Sequence, residues 1–114
     1  MCLLHAYAQG AHERRIREIL AARLPGVGIS LSSEVSPEIR EYERTSTVVA
    51  NAYVQPLMAG YLERLGRDLA ARGFFCPVYL MTSGGGLTTL ETAARFPIRL
   101  VESGPAGGAI LASH

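Results

Sequence analysis

The chain has 114 residues, 48% of them hydrophobic and 18% charged, with a formal net charge of +1. That composition can bury a core and excludes wholesale disorder. The balance of charge excludes the basic surplus of a nucleic-acid binder, and no apolar run approaches the roughly 18 residues of a bilayer span. A cytoplasmic protein with neither a nucleic-acid nor a membrane partner is the expectation, and Cys2 and Cys76, in no metal or redox spacing, are expected as free thiols.

Cys2 to Tyr7 is a short, mostly apolar run that reads as a buried parallel strand. From Ala11 to Leu24 the pattern is helical, with His12, Ile16, Ile19, Leu20 and Leu24 on one side, Ile16, Ile19 and Leu20 of them as core, and Glu13–Arg17 as an i,i+4 pair. Pro25-Gly26 ends it, and Val27 to Leu31 reads as a second strand. Ser36-Pro37-Glu38 predicts a short helix fading near Arg44. Thr45-Ser46-Thr47 predicts a new cap, with a long helix running to about Arg72 and Gly73 closing it. Its later half places Leu62, Leu65 and Leu69 on one core-facing side, with Glu63–Arg67 and Arg64–Asp68 as surface pairs. Pro56 either kinks this helix or splits it in two.

Pro77 to Met81 reads as a third strand, Thr89 to Arg95 as a short helix, and Ile98 to Val101 as a fourth strand, with a last helix from Gly107. The order β-α-β-α-α-β-α-β-α predicts an α/β fold, a mostly parallel sheet flanked by helices.

Two glycine clusters follow predicted strands: Ser83, Gly84, Gly85 and Gly86, and then Ser103, Gly104, Pro105, Ala106, Gly107 and Gly108. In an open α/β sheet, ligands sit beyond the carboxyl ends of the strands. Glycine lets main chain approach a ligand, and a helix N-terminus favours an anion. Neither cluster is a Walker A loop or G-x-G-x-x-G, and glycines that merely make turns are the competing reading. His5 and His12 do not make a metal set, and no metal site is expected; the plainer reading has His5 buried and satisfied and His12 packing or capping. Arg44, Asn51 and Gln55 lie on or near the long helix, where Asn51 either bonds a neighbouring loop or reaches a ligand, the structural role being the preferred reading. Asp68 sits on an exposed helical face, and no residue stands out as catalytic.

Taken together, "LLHAYAQGAHERRIREIL", "ISLSSEVSPEIREYERTSTVVANAYVQP", "YLMTSGGGL" and "VESGPAGGAI" resemble the interior of the hydantoinase A/5-oxoprolinase family, which includes N-methylhydantoinase A and an acetone carboxylase subunit. The resemblance implies part of an actin-like ATPase fold built from RNase H-like halves, with residues 1–44 ending one half and residues 45–114 starting the hydantoinase A core domain. It implies ATP-dependent opening of a cyclic amide of the hydantoin or 5-oxoproline type, or carbonyl activation for carboxylation. The family's two phosphate loops are D-x-G-G-T-like and neither occurs here, so the chain is expected to be an internal fragment, inactive alone and binding neither ATP nor magnesium by itself. The ten residues of the two clusters are then candidates for lining the nucleotide cleft. The implied partners are the remainder of the same polypeptide or a hydantoinase B-like subunit, a small cyclic amide, and copies of itself through exposed apolar surface. A non-enzymatic α/β binding module is the alternative.

Overall fold

The computed structural model describes residues 1–113. Its elements in order are α1 (Ala11–Arg23), α2 (Ser32–Val35), α3 (Glu41–Ala71), β1 (Tyr79–Met81), β2 (Leu87–Thr89), α4 (Leu90–Arg95), a 3-10 turn (Pro97–Leu100) and α5 (Ser103–Ala112). The chain divides into two compact units, Met1–Tyr53 and Val54–His114.

The predicted mostly parallel sheet is not what forms: most of the described residues are helical, and the strands among them are two, paired antiparallel. The first unit shows why. The main chain of Met1 straddles Leu31, donating to the Ser30 carbonyl (2.6 Å) and accepting from the Ser32 N–H (2.9 Å), one step of a parallel ladder. The ladder stops at Leu3. Its N–H donates to Glu13 Oε1 (2.9 Å) and its carbonyl accepts from Arg44 Nη2 (2.8 Å). Two charged side chains occupy the groups a second strand would need, and residues 4–8 become turns.

Both charges are fully buried, Glu13 and Arg44 each at 0% exposure. Such burial is tolerated only with a full set of partners. Glu13 Oε1 also accepts from Ser32 Oγ (2.7 Å), and its Oε2 accepts from the Ser33 N–H (2.9 Å) and Ser33 Oγ (2.8 Å). Arg44 donates further to the Glu38 carbonyl (2.7 Å) and to Cys2 Sγ (3.3 Å), and its guanidinium lies 5.6 Å from the Tyr7 ring centroid. The inward face of α1 is therefore polar. Its apolar stripe is not core: Ile19 and Leu24 are exposed, and Ile16 and Leu20 half-buried. Neither does Glu13 pair with Arg17, which holds both Glu34 oxygens instead (2.8 and 3.0 Å).

The predicted helix start at Ser36 is displaced, since Ser36 closes α2 and α3 begins at Glu41. Thr47 does not cap; its hydroxyl donates to the Glu43 carbonyl four residues back (2.8 Å). Pro56 lies inside one helix rather than between two. The C-terminus of α3 forms a Schellman closure, with the Phe74 N–H on the Leu69 carbonyl and the Gly73 N–H on Ala70 (both 3.0 Å). Gly73 takes φ +86°, which glycine adopts without a Cβ penalty.

In the second unit, Leu62 is buried, with Leu65 and Leu69 half-buried beside it. Thr89 caps α4 by accepting from the Thr92 N–H (3.2 Å). The predicted strand at Ile98–Val101 is replaced by the 3-10 turn, because Pro97 presets helical φ at its first residue.

Candidate functional site

The first glycine cluster joins two antiparallel strands instead of leading from a strand to a helix. Met81 pairs with Leu87, the Thr82 N–H donates to the Gly86 carbonyl (2.8 Å), and the Gly85 N–H closes a turn onto the Thr82 carbonyl (2.9 Å). This is a three-residue hairpin loop, Ser83-Gly84-Gly85, whose third residue must be left-handed. Gly85 supplies it at φ +81°. The loop is stapled from one side: the Ser83 N–H and hydroxyl both donate to the Arg99 carbonyl (2.8 and 3.0 Å).

The second cluster lies inside α5, from its first residue Ser103 onward, not in a loop. Glu102 precedes it at φ 61°, left-handed and without a side-chain cap. The structure brings the two clusters together through α5 and β1. A Cβ on Gly107 would lie 3.2 Å from Met81 Sδ, and one on Gly85 would lie 3.2 Å from Ile110 Cδ1. These two glycines let the hairpin and α5 close on each other. Gly84, Gly104 and Gly108 differ, since a Cβ on any of them would meet nothing within 4 Å. Gly86 would make only an ordinary contact with Thr82 Oγ1 at 3.6 Å. Glycine within a helix is destabilising by about 0.5–1 kcal/mol relative to alanine, and no packing in this unit explains it at 104 or 108. Exposed Ser83 and Pro105, and half-buried Ser103 and Ala106, complete the rim.

The other residues singled out from sequence fall elsewhere. His5 and His12 are exposed rather than buried, and His5 Nδ1 lies 3.4 Å from Tyr7 Oη. Among the described residues no His, Cys, Asp and Glu side chains gather into a metal-holding group. Asn51 is buried and its Nδ2 donates to Ser30 Oγ (3.2 Å), the loop contact expected of it. Gln55 lines a groove between α3 and α4. Sequence reasoning missed Glu13 and Arg44 as buried centres. Burial would push the Glu13 pKa up, but the donors from Ser32, Ser33 and Leu3 outweigh it and hold the carboxyl below the ordinary glutamate range. Burial likewise raises the Cys2 thiol, and hydrogen bonds from Thr45, Ser32 and Arg44, with the Arg44 charge, bring it below the ordinary value. Both cysteines are free thiols. No helix among the described residues is long and apolar enough to cross a membrane.

Residues 44–114, which hold both glycine clusters, match the family described as hydantoinase/oxoprolinase. An uncharacterised protein of Methanocaldococcus jannaschii is 41% identical over 111 residues, 97% of this chain and 16% of that protein. Caprolactamase subunit alpha of Pseudomonas jessenii is 38% identical over 96 residues, 84% of this chain and 14% of that subunit. The 5-oxoprolinase of Saccharomyces cerevisiae is 35% identical over 110 residues, 96% of this chain and 8% of that enzyme. The chain belongs to the hydantoinase/oxoprolinase family. It spans less than a fifth of the length of these relatives. No solved structure matches it.

Proposed function

We propose that the chain is a segment of an ATP-dependent hydrolase that opens cyclic amides, and that it is inactive alone. The observation that carries this reading is the pairing of the Ser83–Gly86 hairpin with α5, with Gly84, Gly104 and Gly108 open to approach. A nucleotide fits such a rim: bare main chain admits phosphate oxygens closely, and the first turn of α5 offers its positive end. Ser83, Gly84, Gly85 and Gly86 would shape one wall, and Ser103, Gly104, Pro105, Ala106, Gly107 and Gly108 the other. ATP with magnesium, when bound, would supply the phosphoryl group that drives ring opening. This chain's part is to hold and orient the nucleotide; the reactive carboxylates belong to the rest of the larger protein.

Residues 1–44 would close one domain of that protein and residues 45–114 open the next. The name of the caprolactamase relative, a subunit alpha, supports a partner subunit; in this reading that partner is hydantoinase B-like and a cyclic amide is the small-molecule substrate. The reading is tested by grafting residues 1–114 into caprolactamase subunit alpha in place of the matching segment and assaying caprolactam opening against ATP consumption. The chimera is expected to keep both activities. A chimera that folds and assembles normally but does neither refutes the proposal.

A further inference from the structure

Outside the glycine rim, the second unit carries a groove of about 660 Å³ between the later half of α3 and α4, within the size range of small-molecule sites. Its bed is apolar and shallow-walled because small residues line it: Ala59 and Gly66 from α3, Ala94 from α4. Charge of both signs frames it. On α3, Glu63 precedes Arg67 by four residues, and on α4 Glu91 precedes Arg95 by four. Each wall thus carries an acid and a base about 6 Å apart along the helix axis. Acid and base at this spacing ordinarily pair with each other. Here Glu63 and Arg67 do not, and Glu91 has no ion-pair partner among the described residues.

We infer that this groove binds a short, unbranched ω-amino acid as its zwitterion. The apolar bed accepts the methylene chain, the carboxylate of Glu63 receives the ammonium group, and the guanidinium of Arg67 receives the carboxylate. A ligand charged at one end only leaves one sign of the frame unused, and an uncharged one leaves both. The choice of an open-chain amino acid rests on the ring-opening reading, since hydrolysis of a lactam gives a chain with a carboxylate at one end and an amine at the other. The groove would then hold the product class on residues that the glycine rim does not include.

The test is titration calorimetry of this chain with 6-aminohexanoate, hexanoate and hexylamine, with Glu63→Gln and Arg67→Gln as variants. Both substituted residues are exposed, so circular dichroism is expected to be unchanged. The expected result is saturable binding of 6-aminohexanoate, at least about tenfold tighter than either singly charged probe and weakened at least about tenfold by each variant. No binding of 6-aminohexanoate overturns the inference. So does equal binding of hexanoate or hexylamine, which marks a merely apolar slot, and so does binding indifferent to either variant. The titration involves neither ATP nor ring opening, so its failure is distinct from a failure of the chimera.

Discussion

Replacing Glu13 by glutamine keeps the size of a buried side chain and removes one acceptor oxygen. In the native site Oε1 accepts from the Leu3 N–H and Ser32 Oγ, and Oε2 from the Ser33 N–H and Ser33 Oγ. The glutamine oxygen can keep one of these pairs. Its NH2 then faces the other, where a serine hydroxyl can turn to accept but a main-chain N–H cannot. One main-chain N–H is left without its acceptor, at about 1–3 kcal/mol, and the other three bonds lose their charge assistance, so about 3 kcal/mol of stability should go. That is a large share of the 5–15 kcal/mol typical of a domain. The assay is urea denaturation of both forms at neutral pH, with amide exchange at Leu3 and Ser33 as the local readout. The pH dependence has a definite sign. Because the folded-state pKa of Glu13 is depressed, its contribution is full above the unfolded value of about 4.3 and is lost as pH falls through the lower folded value. The gap between wild type and Glu13→Gln should therefore narrow as the pH is taken below about 4. A neutral-pH loss under about 0.5 kcal/mol, the range of ordinary surface changes, with Leu3 and Ser33 protection intact, refutes the reasoning.

Further outcomes can be checked alongside it. Arg44→Lys should cost about 2 kcal/mol or more, because one ammonium cannot reach the Leu3 and Glu38 carbonyls and Cys2 Sγ together; thermal melts measure it. Gly85→Ala should cost about 1–2 kcal/mol at its left-handed φ, whereas Gly84→Ala, with open space around it, should stay within about 0.5 kcal/mol. The pH midpoint of Cys2 alkylation, followed by mass spectrometry, should lie below that of the same thiol in the urea-unfolded chain, since its pKa is lowered in the fold.

What the sequence made legible was local. Gly73 as the end of α3 and Thr89 as the start of α4 follow from chemistry within a few residues, and both appear in the structure; Asn51 stood out as a polar residue among apolar neighbours, although its partner Ser30 is distant in sequence. The family was legible too, in phrases spread across the chain. The sheet was not. Cys2 to Tyr7 has a strand's composition, but nothing in it reveals that Glu13 and Arg44 will occupy both main-chain groups of Leu3. Choosing the apolar stripe of α1 as core hid the same fact, because the face that turns inward is the one carrying Glu13. In the second unit, three glycines in a row drew attention to a ligand loop and away from Leu87–Thr89, a strand of only three residues. What placed the second cluster beside the first is contact between residues far apart in sequence, Gly107 against Met81 and Gly85 against Ile110.

The most direct test of the central claim uses Gly104→Ala and Gly108→Ala in the caprolactamase chimera. Both sit in a helix with nothing near their missing Cβ, so each should raise the melting temperature, the equivalent of up to about 1 kcal/mol. If a nucleotide approaches those bare positions, each should also raise the KM for ATP by about tenfold or more, a loss of about 1.4 kcal/mol of binding. A stabilised chimera whose KM for ATP is unchanged would contradict the account.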